Sequence, residues 1–282
     1  MAQSKQDIQS LLAQAGSHPR HRFGQNFMID QNLVRLIADA GMIGPNDVVI
    51  EVGPGTGTLT DELLARAGQV VAVEIDRDLA GMLRERYADR ATFRLIEGDA
   101  LAGKHALNDD LLVVIRAAQA NGQVVRLVAN LPYNIASPLV IELLLVGVAS
   151  LAFTVQKEVA DRLRAVANDE AYGPLSVVVN MLSDVEVLRT LPPQAFWPAP
   201  KIDSALVRLV RRDRLGENGN AFSRFVQQVF AARRKTLRNA LLNADLPADE
   251  LLAKVGLDPK RRPEEIAADQ LLALFDASRG SR

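Results

Sequence analysis

The chain has 282 residues, a length for one large domain or one large with one small. Hydrophobic residues make up 48 % and charged ones 24 %, and the formal net charge is −1, so the chain as a whole is no basic nucleic-acid binder. It holds no cysteine, which excludes disulfides, thiolate nucleophiles and cysteine zinc sites; His18, His21 and His105 lack ligand-like spacing, so no metal is expected.

The first stretch, MAQSKQDIQSLLAQAG, lacks the apolar region of a secretory signal and has no arginine before Arg20. The longest apolar run, near 139–153, is broken by Glu142 and too short for a bilayer. A cytoplasmic protein without membrane contact is expected. In chain order, strands are predicted at 47–52, 70–75, 93–97, 124–129 and 151–156. Helices are predicted at 59–67 and 78–87, with a helical insert between 101 and 123. The strands are apolar throughout, as when both sheet faces are covered, and their alternation with helices predicts a doubly wound, mostly parallel α/β sheet.

After residue 156 the pattern changes. Residues 172–182 begin with Gly173-Pro174 and read as a helix, although their valines favour a strand. Runs 184–191 and 204–211 predict an antiparallel hairpin across PPQAFWPAPK. A polar linker at 216–220 precedes helices at 222–243, 248–255 and 266–277. The expected division is a catalytic domain at 1–214 and a small all-α domain at 221–282.

The first strand runs into EVGPGTGTLT, with Gly53, Gly55 and Gly57. Such glycines let backbone approach a ligand at the carboxyl ends of the strands, or make a tight turn without one. Glu74, 21 positions after Gly53 at the end of the second strand, can accept from ribose hydroxyls. Asp99, in EGDAL after the third strand, can accept from a cofactor's adenine amine or cap a turn. Three such ends in register, a G-x-G-x-G spacing and no candidate hydride-transfer site favour S-adenosylmethionine over a nicotinamide cofactor.

The fourth strand ends in VANLPYNIASP. Asn130-Leu131-Pro132-Tyr133 fits the N/D-P-P-Y type of loop of amino-group methyltransferases. The N6 lone pair of adenine is delocalised into the ring, so the amine is a poor nucleophile. The Asn130 carboxamide oxygen and the Leu131 carbonyl can accept its two N–H bonds and draw N6 towards pyramidal geometry. Pro132 fixes the turn, and Tyr133 can stack on a flipped base. No strong general base is needed, because positioning carries the rate. The same strand-to-loop segment could also be a buried corner with a packed tyrosine.

Together with HRFGQNFMID (21–30), VEID (73–76), QKEVADRL (156–163), YGPLSV (172–177) and FWPAPKIDSALVRL (196–209), these motifs carry a resemblance over nearly the whole length. The chain resembles the ribosomal RNA adenine N6,N6-dimethyltransferases of the bacterial small-subunit KsgA type. The resemblance implies a Rossmann-like S-adenosylmethionine-dependent methyltransferase sheet with a helical C-terminal domain. It implies that Asn26 and Met28 join Gly53, Gly55, Glu74, Asp99 and Asn130 at the cofactor, Met28 standing where leucine is usual. It also implies that Phe196 lines the target base opposite Tyr133; from the residues alone Phe196 is equally a loop anchor. The implied reaction is two methyl transfers to each of two adjacent adenosines near the 3′ end of 16S rRNA. The implied substrate is a partly assembled small subunit, and a monomeric enzyme is expected.

The predicted helix 222–243 carries Arg224, Arg233, Arg234, Lys235 and Arg238 without an acid. Lys260, Arg261 and Arg262 form a second cluster, and Arg20, His21 and Arg22 a third. Each could be a solvated face; the resemblance tips them towards RNA phosphate contact. Three rivals stand beside this reading: the Erm-type large-subunit enzymes of macrolide resistance, non-catalytic relatives of the fold in transcription or ribosome assembly, and a nicotinamide oxidoreductase. The intact set Glu74, Asp99, Asn130 and Tyr133 argues for activity.

Overall fold

A computed structural model describes residues 3–20, 23–103, 106–232 and 234–280. The central sheet contains β1 (Val48–Val52), β2 (Gln69–Glu74), β3 (Phe93–Glu97), β4 (Val125–Asn130), β5 (Ser150–Gln156), β6 (Ser183–Leu191) and β7 (Ser204–Arg211). Their spatial order is β3-β2-β1-β4-β5-β7-β6. The pairs β2–β3, β1–β2, β1–β4 and β4–β5 are parallel, and β7 runs antiparallel to β5. The strand order reverses between β1 and β4, which opens a crevice at their carboxyl ends.

The helices are α1 (Lys5–Gln14), α2 (Gln31–Ala40), α3 (Thr58–Leu64), α4 (Arg77–Arg86), α5 (Asp109–Ala120), α6 (Ala136–Leu145), α7 (Lys157–Arg164), α8 (Pro174–Leu182), α9 (Gly219–Ala231), α10 (Leu237–Asn243), α11 (Ala248–Val255) and α12 (Ala268–Arg279). Every residue of β1 is buried, as its unbroken apolar run predicts. On one sheet face, Leu33, Val34 and Ile37 of α2 and Leu63 of α3 pack with Val49, Val70, Val128, Ala152 and Leu206. Asp30 starts α2 by accepting from the N–H groups of Asn32 and Leu33 at 2.9 and 3.3 Å.

Helix α1 was not expected. Ser4 and Asp7 form a capping box at its start, and Ile8 and Leu12 join Phe27 and Leu79 in a small core. Phe27–Met28 pairs antiparallel with Phe196–Trp197, tying two distant segments together. The insert between 101 and 123 is only partly helical: two short paired strands, Leu101–Gly103 and Ala106–Leu107, precede α5.

The chain divides into two compact units, residues 1–160 with 186–210 and residues 161–185 with 211–282. The helical unit therefore starts earlier in the chain than the 1–214 and 221–282 division expects, and it takes α8 with it. Tyr172 explains why. Its hydroxyl donates to the Ile266 carbonyl at 2.9 Å and its ring meets Phe230 edge-on at 6.0 Å. Phe275 closes the same core against Phe222 and Phe225 at 5.5 and 5.6 Å.

The single helix expected at 222–243 is two, α9 and α10. The arginine-rich stretch favours helix, so composition alone gave no stop signal. Thr236 instead starts α10 by accepting from the Asn239 N–H at 3.4 Å. The expected linker at 216–220 is a 3-10 turn, Gly216–Asn218, running into α9. Among the described residues no helix is long and apolar enough to cross a membrane.

Candidate active site

The carboxyl ends of β1, β2 and β4 surround a cavity of about 240 Å³. Asn26, Met28, Gly53, Gly55, Glu74, Asp99 and Asn130 all line it, joined by Glu51, Thr56, Thr58 and Pro132. Gly53, Gly55 and Gly57 have φ of +71, +60 and +82°, conformations that side chains resist. At Gly53 space counts as well, because a Cβ there would stand 3.2 Å from Cγ of Pro132. The glycine loop and the Asn130–Tyr133 loop thus touch.

Glu74 is buried and accepts from the N–H groups of Asp76 at 2.9 Å and Gly55 at 3.2 Å. Burial pushes its carboxyl up to about 7 against those two hydrogen bonds. Glu51, also buried, accepts from the Thr60 hydroxyl at 2.6 Å. Burial, with Asp61 and Glu74 nearby, pushes it up to about 8. Two buried carboxyl groups facing one cavity suit a ligand that carries hydroxyls, as the ribose of S-adenosylmethionine does. Asp99 is exposed; its Oδ1 accepts from the Leu101 N–H at 3.0 Å in a turn.

Asn130 ends β4. Its Nδ2 donates to the Asn26 carbonyl at 2.7 Å, and its Oδ1 accepts from the Thr154 hydroxyl. Beside it, the Tyr133 hydroxyl and Ser204 Oγ lie 2.7 Å apart. Burial raises the Tyr133 phenol above its ordinary value. The sheet thus anchors the loop at two points, through β5 and β7.

The sequence matches the family described as "Ribosomal RNA adenine dimethylase" over residues 16–279. The chain belongs to the ribosomal RNA adenine dimethylase family. Relatives named "Ribosomal RNA small subunit methyltransferase A" include that of Moorella thermoacetica, 39 % identical over 94 % of both chains. Another, from Magnetococcus marinus, is 41 % identical over 95 % of this chain and 94 % of its own. Among solved structures, the 23S rRNA methyltransferase ErmE is 26 % identical with a TM-score of 0.63, covering 90 % of this chain and all of its own. A dimethyladenosine transferase from Plasmodium falciparum has a TM-score of 0.67 at 23 % identity, covering 88 % and 95 %, and shows the shared fold. The dimethylase family's methyl donor is S-adenosylmethionine.

Within this adenine dimethylase, Phe196 is not among the residues lining the cavity. It is 2 % exposed and packs in the core with Met28, Leu33 and Leu191. Its backbone pairs with that of Met28, and its buried ring is placed as the loop-anchor reading expects. Tyr133 stands beside the cavity, half-buried. Leu131 is buried.

Of the cations, Arg224 on α9 and Arg234 and Lys235 in the turn after it are exposed. Arg233, with His21, Arg22 and His105, lies outside the described residues. Arg238 is paired with Asp249 at 2.7 and 2.8 Å, an acid supplied by α11 and invisible in the local sequence. The Leu237 N–H donates to the Arg261 carbonyl at 2.6 Å, which brings the second basic cluster beside the first. Arg20 binds Asp76 at 2.8 Å and Asp78 at 2.5 Å, holding the segment that carries Asn26 against the end of β2.

Sequence reasoning missed Gln3, Thr154 and Ser204. Gln3 is buried; its Oε1 accepts from the hydroxyls of Thr56 at 2.6 Å and Thr58 at 2.7 Å, bracing the glycine loop. Thr154 did leave a signal, as the one hydroxyl inside the apolar run LAFTV.

Proposed function

We propose that this chain methylates N6 of two adjacent adenosines in the 3′-terminal hairpin of 16S rRNA, giving N6,N6-dimethyladenosines in a partly assembled small subunit. The observation that carries the reading is the Asn130 carboxamide at the cavity's mouth. Its Nδ2 is committed to the Asn26 carbonyl, so its oxygen must be the acceptor left for the incoming amine.

When bound, S-adenosylmethionine supplies a methyl group activated by a sulfonium. Glu74 would accept from its ribose hydroxyls and Asp99 from its adenine amine, while Asn26, Met28, Gly53 and Gly55 would shape the walls. Asn130 Oδ1 and the Leu131 carbonyl accept from the target N6 and aim its lone pair at the methyl carbon. Throughout the transfer Asn130 Oδ1 and the Leu131 carbonyl would hold the amine, whose extra proton would then leave to water. Tyr133 stacks on the base, its hydroxyl held by Ser204.

Arg224, Arg234 and Lys235, with Lys260 and Arg262, bind RNA phosphates. Arg233 and Arg238 belong to the same sequence cluster, Arg238 with its charge partly answered by Asp249. A single chain in the cytoplasm suffices, and the chemistry calls for no metal. The small-subunit assignment is supported by the names of the relatives at 39–41 % identity.

The test is transfer of labelled methyl from S-adenosylmethionine into small subunits from an unmethylated strain, with large subunits in parallel and nucleoside analysis. Dimethyladenosine only in small-subunit RNA is expected. Label only in large-subunit RNA would move the chain to the resistance-type branch, and no label would leave a binding protein.

A further inference from the structure

We propose that Thr154 is a positioning residue for methyl transfer, its hydroxyl fixing the rotation of the Asn130 carboxamide. The inference rests on the role given to Asn130 above. Thr154 stands in the middle of β5, is fully buried, and donates to Oδ1 of Asn130. Its neighbours Ala152, Phe153 and Val155 are apolar and buried. A hydroxyl in such a strand costs stability unless bonded, and a valine would fill the same space without that cost.

The hydrogen-bond chemistry admits one arrangement. The Asn26 carbonyl only accepts, so the Asn130 atom 2.7 Å from it is Nδ2. The other atom, Oδ1, also only accepts, so Thr154 must be its donor. The carboxamide is thus gripped at both ends by different elements, the segment before α2 and strand β5. The terminal torsion of asparagine is broad when unconstrained, and one grip would leave it free to swing. With Thr154 using one lone pair of Oδ1, one remains for the amine. Donation by Nδ2 also raises the electron density on Oδ1.

The benefit falls on turnover and not on binding. The N–H bond from N6 to Oδ1 strengthens as methylation puts positive charge on N6, so a fixed acceptor favours the transition state over the bound substrate.

The experiment compares full-length Thr154→Val, which keeps the shape, with Thr154→Ser, which keeps the donor. Labelled methyl transfer to small subunits gives kcat and the RNA KM, and titration gives the cofactor Kd. Thr154→Val is expected to lower kcat about tenfold with KM and Kd within about twofold. Thr154→Ser should recover most of that loss. In an Asn130→Ala background Thr154→Val should cost nothing more, because the group it orients is gone. Should valine prevent folding, Thr154→Ala against Thr154→Ser carries the same contrast. An unchanged kcat in Thr154→Val, an equal loss in both backgrounds, or a serine variant as slow as the valine would overturn the proposal. A wild-type chain that labels no RNA overturns the Asn130 reading, and this one with it.

Discussion

At the strand ends, Glu74, Asn130 and Tyr133 are each held by hydrogen bonds from other segments of the chain. In the helical unit, Arg224, Arg234 and Lys235 stand exposed on α9 and the turn after it. On the proposed function the first region works by geometry, in which an oxygen must point one way, and the second by charge, in which position matters loosely and salt competes. A residue of the first kind is irreplaceable and its loss insensitive to ionic strength. Residues of the second kind share a load, and each can go at modest cost.

The largest effect that separates them is expected from Asn130→Ala. Removing an acceptor aimed at the transition state should cut kcat about 10²- to 10³-fold while cofactor affinity stays within about twofold. Near-normal single-turnover rates would mean the base site lies elsewhere. Next is Glu74→Ala. Losing the buried carboxyl proposed to accept from ribose should raise the cofactor Kd about 10- to 100-fold, with kcat at saturating cofactor largely kept. An unchanged Kd by calorimetry would remove Glu74 from the cofactor site.

Glu51 gives a pH test of the same region. The folded chain keeps this proton to about pH 8, whereas an unfolded carboxyl loses it near 4.5. The folded state thus binds more protons between those values, so this group's contribution to stability declines as pH rises through the window. Glu51→Gln should leave the ligand-free protein little changed at pH 4.5 and stabilise it by on the order of 4 kcal/mol at pH 8. Equal denaturation midpoints for both proteins at pH 8 would contradict the buried acid.

The smallest effects belong to the helical unit. Arg234→Ala with Lys235→Ala should raise the RNA KM a few-fold and lower the slope of log affinity against log salt by about 2. Arg238→Ala should do less, because Asp249 already occupies that guanidinium. A larger loss from Arg238→Ala than from the pair would reverse this ranking.

The same contrast governs what could be read in advance. The five strands lay within one residue of their expected bounds, because burial on both faces imposes apolar runs on the central ones, while the edge strand β3 is only partly buried. Glu74 and Asn130 drew notice because each ends a strand, and Asp99 because it follows one by two residues. The bonds that hold the site were harder to read, since Thr154 grips Asn130, Ser204 grips Tyr133 and Gln3 grips Thr56 and Thr58 from distant segments, with only the lone hydroxyl in LAFTV as a signal. Phe196 read equally as a loop anchor and as a stacking platform, because its backbone pairing with Met28 and its packing in the core join distant segments. The break between α9 and α10 and the Arg238–Asp249 pair escaped for a related reason. A capping threonine among helix-forming residues is a weak signal, and an acid 11 positions away is none.

Turnover and RNA KM of wild type, Asn130→Ala and the Arg234→Ala, Lys235→Ala pair, measured from about 50 to about 200 mM salt, test the division most directly. The account predicts that Asn130→Ala loses kcat by the same factor at every salt concentration. It predicts that the helical variant keeps kcat, loses RNA affinity, and changes less with salt than wild type. A helical variant that lost kcat at all salt concentrations, or an Asn130→Ala enzyme rescued by low salt, would contradict it.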